Sequence, residues 1–174
     1  EGDVLLTPVQ HWFFKRRFID NHHFNQSVMF FSKDGFDAQL VGRTLHAIAV
    51  HHDALRLGYE FGGENETIRQ FNRGIDGHLV DVEVFDLREI NDHQEIADRV
   101  EQECSRVQGS FHLESSKSLA TSALFKTNDG DHLLVAIHHL AVDGVSWRIL
   151  FEDFEIGYLQ AREGVDIKFQ DKTD

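Results

Sequence analysis

The sequence predicts an α+β fold in which helices pack as a two-layer sandwich on a largely antiparallel mixed sheet. Three observations carry this. Helix and strand patterns alternate irregularly along the chain, in the order helix, strand, helix, several strands, helix, hairpin, helix. An Asp-Gly pair separates two long apolar runs near residue 130, the signature of a β-hairpin and so of antiparallel pairing. A hydrophobic fraction of 41% with 15 phenylalanines in 174 residues supplies enough apolar surface for one core, in a chain too short for two domains.

The first element is the helix that opens in "LLTPVQHWFF". Thr7 stands as N-cap, Pro8 at the first helical position and Gln10 three residues after the cap, a capping-box start. The helix is expected to run to about Ile19. "FNQSVMFF", Phe24 to Phe31, is aromatic and branched enough for a strand, closed by Lys33-Asp34-Gly35. From the N-cap Asp37, the residues Leu40, Val41, Leu45, Ile48 and His52 recur at helical spacing. Gly62-Gly63 then breaks the chain before two strands, "TIRQF" and "HLVDVEVFDL", the second placing Val80, Val82 and Val84 on one face.

His93, Ile96, Val100, Cys104 and Val107 mark a third helix from about Asp92. Cys104, the single cysteine, lies on its apolar stripe and reads as an inert buried thiol. "SLATSALFK" and "DHLLVAIHH" form the hairpin across "TNDGD", and the last helix carries Trp147, Phe151, Phe154 and Tyr158 as core aromatics. Lys168 to Asp174 reads as a polar stop.

Seventeen Lys and Arg against thirty Asp and Glu give a formal charge of -13, which disfavours nucleic acid as a partner. The basic run Lys15-Arg16-Arg17 reads as a solvated helix face. No signal segment and no membrane span is expected, so the expected location is cytoplasmic.

Chemistry concentrates in "AIHHLAVDGVSW", Ala136 to Trp147. Successive strand side chains point to opposite faces, so His138 and His139 are poorly placed to share one metal ion, and no metal is expected. The same alternation buries one imidazole in the sheet and leaves the other at the strand end, where an imidazole titrating near pH 6.5 suits a general base. Asp143 in the following turn can orient a histidine, cap the helix starting at Val145, or pair with an arginine. Gly144 permits tight backbone geometry or the close approach of a ligand. Spacing alone does not choose between catalysis and a satisfied core histidine.

"HHLAVDG" resembles the His-His-x-x-x-Asp-Gly motif of the condensation superfamily of nonribosomal peptide synthetases, whose fold is chloramphenicol acetyltransferase-like. "TPVQHWFF" and "VDGVSWRIL" resemble motifs of its epimerization branch, and "NHHFNQS" and "HHDALRLGYE" fall where the superfamily has its early motifs. The resemblance covers nearly the whole chain. It implies L-to-D conversion at the α-carbon of an aminoacyl or peptidyl thioester, carried on the phosphopantetheine of a peptidyl carrier protein, with no cofactor bound by this chain itself. It further implies His139 as the proton-transfer base, His138 as structural, and an Asp143–Arg56 ion pair locking the turn, whose loss would cost about 3–5 kcal/mol. Gly144 would border the pantetheine channel, with Ser146 and Trp147 lining the pocket, or serving merely as a helix-start serine and a core tryptophan. Residues 1–174 match only the amino-terminal lobe of such a domain. The second lobe, with its partner glutamate, and the neighbouring synthetase modules are the expected partners, and the isolated lobe is expected to be inactive. The alternatives are a condensation (amide-forming) domain and a non-catalytic lobe that docks the carrier, for which Lys15 to Arg17 is one candidate patch.

Overall fold

A computed structural model describes residues 2–16, 18–62, 67–77, 79–114 and 118–170. The chain runs β1 (Gly2–Val4), α1 (Pro8–Lys15), β2 (Asn25–Ser32), α2 (Ala38–His51), a 3-10 turn (Asp53–Arg56), β3 (Leu57–Gly62), β4 (Thr67–Asn72), β5 (Asp81–Asp86), α3 (His93–Gln108), β6 (Ala120–Thr127), β7 (Gly130–His138) and α4 (Gly144–Arg162). Arg17, Gly63, His78 and residues 171–174, which the sequence reading drew into a basic run, a chain break, a strand start and a polar stop, lie outside the described residues.

The main sheet has the order β2-β7-β6-β5. Its two long pairings are antiparallel and the β5–β6 pairing is parallel, so the sheet is mixed as predicted. The β6–β7 hairpin turns at Asn128-Asp129, and Gly130 opens β7 at a φ of 134° that favours glycine. On one face Leu133, Val135 and Ile137 of β7 pack against Val41, Leu45 and Ile48 of α2 and Trp147, Leu150 and Phe154 of α4. On the other, Ala123, Phe125 and Leu134 pack against Val107 of α3. The α3 side thus adds a layer to the expected sandwich. Each fully buried large apolar side chain in these layers contributes about 1.5–3 kcal/mol.

A second sheet, β1-β4-β3, was not foreseen from the sequence. Its strands are short and carry Gly58 and Gly62, and Leu57 and Tyr59 are buried on it in a separate cluster with Phe13, Leu113 and Leu119. That cluster also shortens α1. The helix stops at Lys15 rather than near Ile19, because Phe18 leaves the helical path to stack on Phe24 (centroids 5.5 Å apart, 12° between planes), and Ile19 is left fully exposed. The two N-cap predictions hold: Thr7 and Gln10 form the capping box and Asp37 caps α2, while Asp92, read only as the approximate start of α3, proves to be its N-cap.

Two burial expectations are corrected. Val84 is 46% exposed, because β5 is an edge strand, and Phe151 of the α4 aromatic series is 39% exposed while Trp147 and Phe154 are buried. Cys104 is only half-buried; burial, followed by the neighbouring Glu103, raises its pKa above the ordinary thiol range, which disfavours a reactive thiolate.

Candidate active site at the end of strand β7

Alternation along β7 puts His138 on the same face as Leu134. It is fully buried, ringed edge-on by Phe13, Phe24 and Phe111. Its Nε2 lies 2.8 Å from the carbonyl of Asn21, and its Nδ1 accepts from the Leu140 N–H at 3.2 Å. A carbonyl only accepts, so the proton sits on Nε2. Burial drives the His138 pKa down to about 4, with the Asn21 carbonyl opposing that shift. His138 is therefore neutral near pH 7 and ties the turn after β7 to the loop before β2.

His139 follows the strand end, half-buried. Its backbone N–H continues the pairing with β2 by donating to Phe24 O at 2.8 Å. The ring stacks on Phe24, with centroids 5.0 Å apart and planes 20° from parallel. Nδ1 is 2.7 Å from the carbonyl of Val142 and must carry the proton there, which leaves the lone pair on Nε2. Facing that lone pair at 3.3 Å is Nε2 of Gln26, while Oε1 of Gln26 accepts from the Trp147 indole N–H at 2.9 Å. The two histidines thus hold opposite tautomers within one dipeptide. Gln10 supports the same turn from below: its side-chain amide reaches Tyr59 Oη at 3.1 Å and Leu140 O at 3.5 Å.

The remaining sequence-derived residues divide. Asp143 is exposed and acts as N-cap of α4, its Oδ1 accepting from Ser146 N–H (2.8 Å) and Ser146 Oγ–H (2.6 Å). Those bonds hold the Asp143 carboxyl below its ordinary pKa. Ser146 is accordingly committed to the cap. Gly144 begins α4, one residue earlier than expected, and a Cβ there would meet nothing within 4 Å. Trp147 is buried in the core and also bonded to Gln26.

The expected Asp143–Arg56 pair is not formed. Arg56 is buried, and its guanidinium donates to the α2 carbonyls of Ala49 and Val50 (2.6 Å each), to Asp53 Oδ1 (2.7 Å) and to Arg73 O (3.3 Å). Orphan carbonyls at a helix C-terminus and free N–H groups at a helix N-terminus each satisfy their charged residue locally, so neither charge needs the other. Of the basic run, Arg16 lies over the Trp12 ring at 4.8 Å.

The described residues hold one group that offers three metal-ligand atoms within 4.8 Å, namely His51, His52 and Asp153. His52 Nε2 and Asp153 Oδ2 are already bonded at 2.6 Å, a direct link between α2 and α4. Sequence reading missed Gln26. The signal was the half-buried face of β2, on which Val28 and Phe30 pack on the core and the polar Gln26 stands at the end next to the motif histidines.

Comparison with known sequences identifies the wider group. The sequence model of the Condensation domain matches residues 1–174. The chain belongs to the condensation-domain family. Within this family's relatives, it is 46% identical over 173 residues to surfactin synthase subunit 1 of Bacillus subtilis (strain 168), covering 99% of this chain and 5% of that protein. It is 46% identical over 174 residues to gramicidin S synthase 1 of Brevibacillus brevis, covering 100% of this chain and 15% of that protein. The epimerization domain from the third module of tyrocidine synthetase B superposes with a TM-score of 0.93 at 47% identity, over all of this chain and 38% of that one. The first condensation domain of the calcium-dependent antibiotic synthetase shares the fold, with a TM-score of 0.80 at 16% identity over all of this chain and 41% of that one. The condensation-domain chain described here therefore spans a small part of its curated relatives and well under half of these two structures. No helix among the described residues is long and apolar enough to cross a membrane.

Proposed function

We propose that this chain is the amino-terminal lobe of an epimerization domain of a nonribosomal peptide synthetase, acting on an aminoacyl or peptidyl thioester held on the phosphopantetheine of a carrier protein. The observation that carries the reading is the split in similarity. The chain is 47% identical to an epimerization domain and 16% identical to a condensation domain, although both share its fold. The geometry of His139 is compatible with the chemistry: a neutral ring with its proton on Nδ1 presents Nε2 as a base.

In the reaction, the Cα–H bond breaks, its proton passes to His139 Nε2, and the bonding electrons move onto the thioester oxygen as an enolate. The imidazolium so formed stays hydrogen-bonded through Nδ1 to Val142 O. Reprotonation from the opposite face yields the D form and needs a second acid, which the lobe across the site would supply. The 38% coverage of the epimerization-domain structure leaves room for such a lobe. The expected partners are the peptidyl carrier protein, the second lobe and neighbouring synthetase modules.

The family name itself favours a second reading, condensation, in which the same imidazole assists amine attack on a donor thioester. Products separate the two. The test is α-proton exchange in D2O by the whole polypeptide carrying this chain, with an aminoacyl-loaded carrier, following mass and chirality. Deuterium uptake with D-isomer formation, lost in His139→Ala, is expected. A new amide in the presence of an acceptor, with no α-exchange, would overturn the reading in favour of condensation.

A further inference from the structure

We propose that Gln26, oriented by Trp147, is a positioning residue that holds His139 as the free base before substrate arrives. An indole N–H only donates, so the Trp147 contact at 2.9 Å requires the Gln26 oxygen to face the indole. The Gln26 NH2 must then face His139, where it lies 3.3 Å from Nε2 and can only donate. A donor aimed at Nε2 is compatible with a lone pair there and incompatible with a proton. A flipped amide would do the reverse, because its oxygen would accept from a protonated Nε2 and favour the imidazolium.

Trp147 prevents that flip. Its ring is anchored in the core between the sheet and α4, and Gln26 is fixed by the β2–β7 register that pairs it with Ile137. The orientation of one amide at the site is therefore set by the packing of α4 on the sheet. At 3.3 Å the Gln26 contact is long for a hydrogen bond, so a substrate that places its own C–H against Nε2 displaces it at little cost. Among the described residues, the shifted titratable groups that interact with the ring are His138, buried and neutral, and Asp143 at the α4 cap, whose carboxylate acts in the opposite sense by favouring the imidazolium. Phe24 from the β2 side contributes only an apolar face. Gln26 is the one neutral donor in this set that opposes protonation.

The test uses the whole polypeptide that carries this chain and two readouts. One is the pH dependence of deuterium exchange at the His139 Cε1–H, read by mass spectrometry with fragmentation separating His138 from His139; it requires no turnover. The other is the acid limb of the α-proton exchange profile, and only this arm rests on the function proposed above. Gln26→Glu replaces the donor by a carboxylate at hydrogen-bond distance and is expected to move both midpoints to higher pH by about 1 unit or more. Trp147→Phe frees the amide to flip and is expected to move them the same way by less. Gln26→Met, of similar volume, separates loss of the donor from loss of packing and is expected to give a small upward movement.

If Gln26→Glu, folded by circular dichroism, leaves the Cε1–H midpoint at the wild-type value, the proposal fails. Movement with Gln26→Glu but none with Trp147→Phe would overturn the role of Trp147. A shifted Cε1–H midpoint in a protein that exchanges no α-proton would instead sink the epimerization reading and leave the role of Gln26 standing.

Discussion

His138 and His139 are neighbours in sequence, yet one is enclosed by three phenylalanines and tied by both ring nitrogens to backbone, whereas the other stands half-buried with one nitrogen turned to a side-chain amide. The difference arises from a single step of strand alternation at the end of β7. His138 falls on the face of Leu134, is enclosed there by Phe13, Phe24 and Phe111, and holds the loop before β2 against the turn before α4. His139 lies one residue past the last strand residue, where its side chain is not enclosed. A dipeptide of identical side chains thus divides into an enclosed member and an accessible one, the latter being the base in the function proposed above, and the two should fail in different ways when changed.

The largest effect expected is on chemistry. His139→Ala should reduce α-proton exchange by about 10²–10⁴-fold, with a loss of unfolding free energy of only about 1 kcal/mol from the uncovered Val142 carbonyl; a large loss of stability with retained exchange would invert the assignment. His138→Ala should do the opposite, lowering unfolding free energy by about 3 kcal/mol through an emptied core site and two orphaned backbone partners, as measured by urea unfolding.

Acid should reproduce part of that loss in the unmutated protein. The folded-state pKa of His138, about 4, lies below the ordinary 6.5, so the unfolded chain takes up the proton first as pH falls. The His138 contribution is fully present above pH 6.5 and is lost progressively as pH falls toward 4, by about 3 kcal/mol in all. Stability measured across that window should be steeper in the wild type than in His138→Phe, and equal slopes would show that His138 titrates normally.

Smaller effects sharpen the contrast between the two helix ends near the site. Arg56→Met should cost about 2 kcal/mol by uncovering the α2 carbonyls. Asp143→Ala should cost only about 1 kcal/mol, the value of an exposed N-cap. Additive losses are expected from a double-mutant cycle in urea unfolding. A coupling of 1 kcal/mol or more, or a loss above 3 kcal/mol for Asp143→Ala alone, would mean that carboxylate and guanidinium meet in solution.

Much of this was legible in the sequence because it rests on local rules. Thr7 and Asp37 cap their helices as read, α3 starts next to Asp92 as read, Asn128-Asp129-Gly130 turns the hairpin, and alternation along Leu133 to His138 assigns the two faces of β7. What was misread depends on contacts between distant segments. The end of α1 is set by Phe18 reaching Phe24, the β1-β4-β3 sheet by pairing among short strands of weak pattern, and the partners of Arg56 by which carbonyls the α2 terminus leaves open.

The sequence by itself determined the periodicities, caps and turns, and through alternation it determined that the two histidines of the motif differ. Tertiary structure alone decided how they differ: which ring nitrogen carries the proton, and what faces the one that does not. A tautomer is fixed by the donors and acceptors within about 3 Å of the ring, and for His139 these come from the turn at Val142 and from Gln26 on β2, the latter oriented by Trp147 on α4. Residues 26 and 139 are far apart along the chain, and only the pairing of β2 with β7 brings them together.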